Sequence, residues 1–311
     1  MRYPITFRQL VIFREVARSG SFTLAAKQLH LSQPAISMQV KQMEHLIDSP
    51  LTERIGKKIR LTEIGNIVLD YSEKILANKE AMEQTITSML GTNQGTFQLA
   101  VPDTANQFVT LLLARFRKAH PGITIHLQIH NRAGLLQALE NNTTDMVIMG
   151  QPPKQLELIA TRFMSNPLVA IGHPENPLCH KQQIPLSEVV SMDFVVRELG
   201  SGTRIAMKRF FENHDLHLNN FMEMPNNEAI KQAVAAGLGL GIVSLHTLQQ
   251  ELALNQVKVL DVQHLPILRQ WFIVYRKQRQ LSPAMQLFRA FAIEETKEVW
   301  LKKYPELRSY L

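Results

Sequence analysis

The sequence predicts an α-rich, basic head joined by one long helix to a larger α/β part. Three observations carry that prediction. Short amphipathic helices fill the first 61 residues, an apolar repeat of about 3.5 residues runs from Thr62 to Leu90, and strand-like and helical stretches alternate after the break at Gly91-Thr92-Asn93-Gln94-Gly95. At 311 residues, 45% hydrophobic and 20% charged, the chain can form two or three compact units of ordinary globular composition.

In the head, Leu10, Phe13 and Ala17 recur at helical spacing, and Ser19-Gly20 ends that helix. Thr23 to His30 reads as a second short helix, where Ala25 and Ala26 let another helix cross closely. Ser32 is a natural N-cap for a third, with Pro34 tolerated in its first turn. Ile36, Val40, Met43 and Ile47 form one buried stripe of that helix. The stripe leaves Pro34, Met38, Lys41 and His45 on the opposite face, flanked by Gln33, Ser37 and Gln39. Leu51 to Arg60, broken by Gly56, suits a small hairpin or wing.

A helix-turn-helix lays such a face in the major groove of DNA while the preceding helix braces it. Gln33 and Ser37 sit where they can bond base edges or phosphates, and Lys41, Arg54, Lys57, Lys58 and Arg60 are candidate phosphate contacts. Residues 1–61 carry ten Lys and Arg against four Asp and Glu, which is six of the net +7 of the chain. That asymmetry suits a polyanionic partner, although a membrane surface or simple solubility would show the same count.

In the long helix, Ile64, Val68, Tyr71, Ile75, Asn78, Met82, Thr85 and Met89 alternate at spacings of 4 and 3, the pattern of a coiled-coil seam. Asn78 would favour one register and a dimer. The competing expectation is a helix packed only on its own domain.

Beyond the break, 97–101, 123–130, 145–149, 194–197, 221–224, 241–244 and 271–275 read as strands, and 104–120 and 133–141 as helices. The alternation implies parallel sheets, in which ligands sit beyond the carboxyl ends of strands beside helix N-termini. Three places qualify. Asp103-Thr104 follows the first strand, with Thr104 either a plain cap or a ligand contact. Arg197-Glu198-Leu199-Gly200-Ser201-Gly202-Thr203-Arg204 has glycines around a serine and a helix starting at about Thr203, an anion nest with an adjacent cation, suited to carboxylate or phosphate. Asn227-Glu228 opens the helix before Gly237-Leu238-Gly239-Leu240-Gly241. That glycine run precedes a strand, the reverse of a dinucleotide fingerprint, and reads as a tight turn. Asn131 and Arg132 are weaker candidates for the cleft rim.

Other classes are disfavoured. The single cysteine, Cys179, allows neither an internal disulfide framework nor a thiolate zinc cage. The first residues lack a leader pattern, and the longest nearly apolar run, 233–245, is too short for a bilayer span, so a soluble, cytoplasmic protein without membrane partners is expected. No nucleophile elbow, P-loop or zinc-protease motif points to an enzyme, and no metal or cofactor is expected. His126 and His130 share the polar side of one strand, where an exposed face is favoured over a metal pair.

The string Phe22-Thr23-Leu24-Ala25-Ala26, Leu29, Ser32-Gln33-Pro34-Ala35-Ile36-Ser37, with Gln39, Lys41, Glu44, Arg54, Gly56, Lys57, Leu61-Thr62-Glu63 and Gly65, resembles the LysR-type regulator signature. The resemblance spans roughly residues 5–90. It implies a winged helix-turn-helix at 1–61, with Thr23, Ser32, Pro34 and Met38 joining the DNA-binding set, and a dimerisation helix at 62–91. It also implies a periplasmic-binding-protein-like effector domain of two α/β lobes joined by crossing strands, with 92–164 and 268–293 in one lobe, 165–267 in the other, and a tail at 294–311. Leu24, Thr52 and Met38 depart from residues often found in the family, which bears on local packing and on base readout at Met38. The strings at 195–204 and 227–234 look like the RuBisCO-operon (Calvin-cycle, CbbR) regulators. That likeness implies an activator of carbon-fixation genes, a homodimer or homotetramer on promoter DNA in contact with RNA polymerase. It would sense a phosphorylated metabolite or a nicotinamide nucleotide such as NADPH. A LysR-type regulator of another operon with a carboxylate effector is the alternative. A periplasmic solute-binding protein and a nucleoid-like DNA binder are the remaining rivals: the first needs a secretion signal, the second leaves the α/β part without a task.

Overall fold

A computed structural model describes residues 3–55, 58–89, 94–154 and 156–303, leaving aside the side chains of 55, 58, 84, 85, 87–89 and 296–303. It divides into two compact units, Met1–Met89 and Leu90–Leu311.

The first unit contains α1 (Phe7–Ser19), α2 (Phe22–Gln28), α3 (Gln33–Ile47), β1 (Thr52–Ile55), β2 (Lys58–Leu61) and α4 (Glu63–Met89). Each short helix starts at a side-chain cap. Thr6 and Gln9 form a reciprocal capping box, and the Ser21 and Ser32 hydroxyls accept from Leu24 N and Ala35 N. Gly20 ends α1 at φ 60°, the left-handed conformation that glycine takes without penalty. Phe13, Val16, Ala25, Ile36, Met43 and Leu51 fill the core, while Ile47 packs at its margin. Strands β1 and β2 pair antiparallel from Thr52↔Leu61 to Ile55↔Lys58, a wing around Gly56 and Lys57, which lie outside the described residues. The Glu44 carboxylate of α3 accepts from Leu51 N at 2.9 Å and Thr52 N at 3.1 Å, anchoring the wing to that helix.

The second unit holds two five-stranded sheets. Lobe I contains β3 (Gly95–Val101), α5 (Asn106–Ala119), β4 (Ile123–Ile129), α6 (Arg132–Glu140), β5 (Met146–Met149) and β6 (Leu158–Ser165). Lobe II contains β7 (Leu168–Gly172), α7 (Leu186–Val190), β8 (Phe194–Arg197), α8 (Gly202–Glu212), β9 (Phe221–Met224), α9 (Asn227–Ala235), β10 (Leu240–Ser244), α10 (Gln249–Ala253) and β11 (Lys258–Val259). The chain then returns to lobe I as β12 (Gln270–Arg276) and α11 (Pro283–Lys303), which runs without a break past 293; residues 304–311 lie outside those described. The strand orders are β4-β3-β5-β12-β6 and β11-β7-β10-β8-β9.

The sheets are mixed, not parallel as strand-helix alternation suggested. Strands β3, β4 and β5 are parallel, but β12 is antiparallel to β5 and β6, and β7 is antiparallel to β10 and β11. Each antiparallel pair includes a strand that enters or leaves a crossing between lobes. Strands β6, β7 and β11 were not among the strands read from sequence. In lobe I, Phe97, Leu99 and Val101 face α5 and α11, while Ala100 faces Leu135 and Leu139 of α6, the period-two division of a sheet covered on both sides.

The two crossings are bonded to each other. Leu168 N donates to Ile267 O at 3.0 Å, Ile267 N to Leu168 O at 2.9 Å, and Asn166 N to Arg269 O at 2.8 Å. His246 packs here, 2% exposed, its Nε2–H donating to Ser165 O at 2.6 Å. Burial pushes its pKa down to about 4 from an ordinary 6.5, despite the opposing Ser165 bond. The unfolded chain therefore binds a proton below about pH 6.5 that the folded chain refuses until about pH 4. Stability is expected to be lost as pH falls through that window, by about 3 kcal/mol in all, and His246→Gln should flatten the loss. Denaturant titrations of both proteins between pH 7 and 4 check this; identical profiles would remove His246 as the cause.

Among the described residues, no helix is long and apolar enough to cross a membrane, and no three His, Cys, Asp or Glu gather as a metal site. His126 lies exposed on β4 and His130 exposed just after it, so the two do not share one strand.

Candidate DNA interface and effector cleft

Helix α3 presents one exposed face. Gln33, Pro34, Ser37, Met38, Lys41, Gln42 and His45 line a shallow groove on it, opposite the buried Ile36, Val40 and Met43. Met38 is 53% exposed, an apolar tip among donors, so it can offer only van der Waals contact to a base edge. Ser32 is occupied as the α3 cap, and Thr23 lies exposed in the first turn of α2. Arg54 and Arg60 are exposed on the wing, with Arg60 opposite Glu53. Lys57 lies outside the described residues, and only the backbone of Lys58 is described. Gln42 was missed; its place beside Lys41 and His45 was open to the same helical projection.

Helix α4 has two apolar faces. Ser72 and Leu76 are buried, and Val68 and Leu69 pack against the head core. Tyr71, Ile75 and Met82 stay 61%, 42% and 55% exposed, in line with Ile64, Ile67 and Ile86. Of the expected seam residues, Val68 is half-buried against the head core, while its neighbour Ile67 is exposed. Asn78 is exposed on the same helix, and the side chains of Thr85 and Met89 lie outside those described.

In the second unit, the loops after β3, β4, β5 and β8 converge with the crossings on one cleft. Its lining includes Asp103, Thr104, Asn131, Arg132, Gly150, Asn166, Ser201, Gly202, Thr203, Arg269 and Trp271. The free volume is about 30 Å³, room for about one water, so a ligand must part the lobes slightly to enter. Ser201 caps α8 through Arg204 N, and Gly202 is its first residue. Thr104, Ser201 and Thr203 are buried there.

Several expected effector residues do other work. Asp103 lines the cleft but is consumed by lobe II: Arg197 lies 3.1 Å from its Oδ1, and Asn227 N donates to Oδ2 at 2.7 Å. Asp103 is therefore a clamp between lobes, and Asn227 holds it through the α9 backbone. Glu198 lies outside the lining because it accepts twice from Arg197, at 2.8 and 3.1 Å. Arg204 turns away: it donates to Arg197 O at 2.8 Å, pairs with Glu223 and covers the Phe221 ring at 5.5 Å. Glu228 pairs with the buried Lys231 at 2.8 Å. Gly200 forms the turn at φ 89°, where a Cβ would lie 3.3 Å from Ala133 Cβ, but it does not line the cleft. Thr104 sits inside a 3-10 turn and caps no helix, because Pro102 precedes that turn with no side-chain bond. Asn131 caps α6 and Arg132 is its first residue, both in the cleft and not merely at its rim. Asn166, Arg269 and Trp271 were missed; isolated residues at a crossing carry no periodic or motif signal. Arg197, which opens the 197–204 stretch, lines the cleft and pairs with Asp103.

Residues 7–66 match the bacterial regulatory helix-turn-helix family of the lysR type, and residues 90–297 match the LysR substrate binding domain. The chain is 46% identical over 291 residues to a RuBisCO operon transcriptional regulator of Allochromatium vinosum, covering 94% of this chain and 96% of that protein. It is 43% identical to the HTH-type transcriptional activator CmpR of Synechocystis sp. PCC 6803, covering 91% of this chain and 93% of the other. Among solved structures, the regulatory domain of Synechocystis CcmR in complex with 2-PG is 36% identical, with a TM-score of 0.64, and matches 66% of this chain and 99% of that one.

Proposed function

Because this chain belongs to the LysR family of transcriptional regulators, we propose that it controls carbon-fixation genes in response to a small anionic metabolite bound between its lobes. The single observation that carries the effector half is the cleft itself, where buried hydroxyls, a helix N-terminus and arginines meet at the carboxyl ends of strands. The relatives' names, a RuBisCO operon regulator and CmpR among them, support the gene set. The 2-PG in the CcmR domain supports a small ligand.

DNA is read by Gln33, Ser37 and Met38 of α3, with Lys41, Arg54, Lys57, Lys58 and Arg60 on phosphates. Two chains pair through the exposed stripe of α4, and two such dimers make a tetramer on a long promoter site. The effector acts by binding one lobe arrangement better than another, which alters the spacing of the DNA-binding heads and their contact with RNA polymerase.

The test is footprinting on the promoter beside the protein's own gene, with and without phosphorylated metabolites. Ser201→Trp or Thr203→Trp should abolish the effector-dependent change while holding basal DNA affinity within about twofold, since both residues belong to the α/β unit and not to the helix-turn-helix. Equal loss of both activities would remove the separate-site reading. A response confined to carboxylates would favour another operon.

A further inference from the structure

The two methionines of α3 occupy opposite sides of the helix. Met43 is buried in the head core, whereas Met38 is 53% exposed. Burial of Ile36, Val40 and Met43 fixes the rotation of α3, and Met38 stands about 200° around the axis from both Ile36 and Val40. Pro34, one turn earlier, is exposed on the same side, in the first turn of a helix that starts at Gln33. Lys41, Gln42 and His45 continue that face toward the C-terminal end. The face is therefore divided into an apolar step, Pro34 and Met38, and a polar one. The apolar step lies in the N-terminal half, the part of such a helix that meets base edges.

Neither apolar side chain reads hydrogen-bonding groups well. The proline ring carries no donor or acceptor, and a thioether sulfur is only a weak acceptor. Against the edges of guanine, adenine or cytosine they would strip water from polar groups without replacing its bonds, which costs affinity. Thymine alone presents an apolar group in the major groove, its C5-methyl. Methionine is unbranched, with three rotatable bonds, so it can reach a methyl on the groove floor and fit around it. Gln33 and Ser37 flank the apolar step and carry the hydrogen-bonding groups that it lacks.

Resting on the DNA reading above, we infer that Met38, backed by Pro34, is a specificity-determining residue that selects a thymine in each half-site through its C5-methyl. The discrimination comes from apolar contact and desolvation. Uracil, with the same hydrogen-bonding groups and no methyl, is then a poorer base at that position. Lys41 meets phosphate one turn further on and adds affinity without preference.

Anisotropy titrations of the full-length protein on the promoter fragment beside its own gene test the inference, with the thymines of the footprint replaced one at a time by deoxyuridine. At least one position in each half-site should weaken the parent about three- to fivefold, the effect of one buried methyl group. Met38→Ala should bind the thymine and uracil duplexes equally there, while Met38→Leu should keep most of the difference. Cytosine at that position should cost the parent about tenfold, and 5-methylcytosine should recover about threefold of it. Met38→Ala should melt at the parent's temperature, because the side chain lies outside the head core. A uracil penalty that persists in Met38→Ala, or a parent indifferent to every thymine, overturns the Met38 assignment; a retained preference for the promoter over random duplex then leaves the DNA reading in place. Loss of that preference in the parent overturns the DNA reading itself.

Discussion

Tyr71→Asp combined with Ile75→Asp is expected to turn the protein into a monomer at micromolar concentration, raising its dimer dissociation constant by at least about 100-fold. Both side chains stand on the outer face of the 27-residue α4, in line with Ile64, Ile67, Met82 and Ile86. A continuous apolar stripe of this length on a polar helix calls for a partner, and the inner face is already satisfied by Leu76, Ser72 and the α1 packing. Carboxylates placed on the outer face would meet their symmetry mates in an apolar seam, while the head core stays untouched. Sedimentation velocity reads the mass, and unchanged far-UV dichroism shows that the fold survives. DNA affinity should fall with it, because two half-sites are no longer held by one molecule. A double variant that stays dimeric would assign the stripe to something else.

Gly65→Ala should cost the head about 2–3 kcal/mol and displace the wing. A Cβ there would lie 2.0 Å from the Leu51 carbonyl oxygen, 3.0 Å from its carbon and 3.3 Å from Leu61 Cβ. Two of these atoms are backbone, so no rotamer change relieves the clash. The chain must move where α4 starts, and Leu51 is also where Glu44 anchors the wing. Gly237→Ala is the control: nothing lies within 4 Å of its Cβ, and only the conformational cost of φ 78° remains. Thermal unfolding compares the two, and promoter affinity should fall for Gly65→Ala alone. Equal effects would mean that the close approach at Leu51 is unimportant.

How much of the site could be read in the residue string differs between the two units, for a physical reason. In the head, contacts are local. Ser32 as cap, the Ile36-Val40-Met43 stripe and the exposed Met38 and Lys41 all follow from 3.6-residue periodicity and capping chemistry, and the structure places them so. In α4, a 3.5-residue template does not show which flank α1 will cover, and Val68 packs partly against the head core. In the α/β unit, strand ends next to helix starts located the cleft through Thr104, Ser201, Gly202 and Thr203. The partners of charged residues could not be read, since Asp103, Arg197 and Asn227 meet across 94 and 124 positions of sequence.

The sequence by itself therefore determined the helices of the head, most elements of the α/β unit, the exposed side of α3 and the family, because caps, periodic stripes and short motifs act within one or two turns of chain. Tertiary structure alone decided which charges are spent and which are left over. It turned Asp103 into an interlobe clamp, sent Arg204 outward to Glu223, and brought Arg269 from a crossing to stand beside Arg132. The reason is that an ion's energy depends on burial and on its nearest opposite charge, and both are properties of the folded chain.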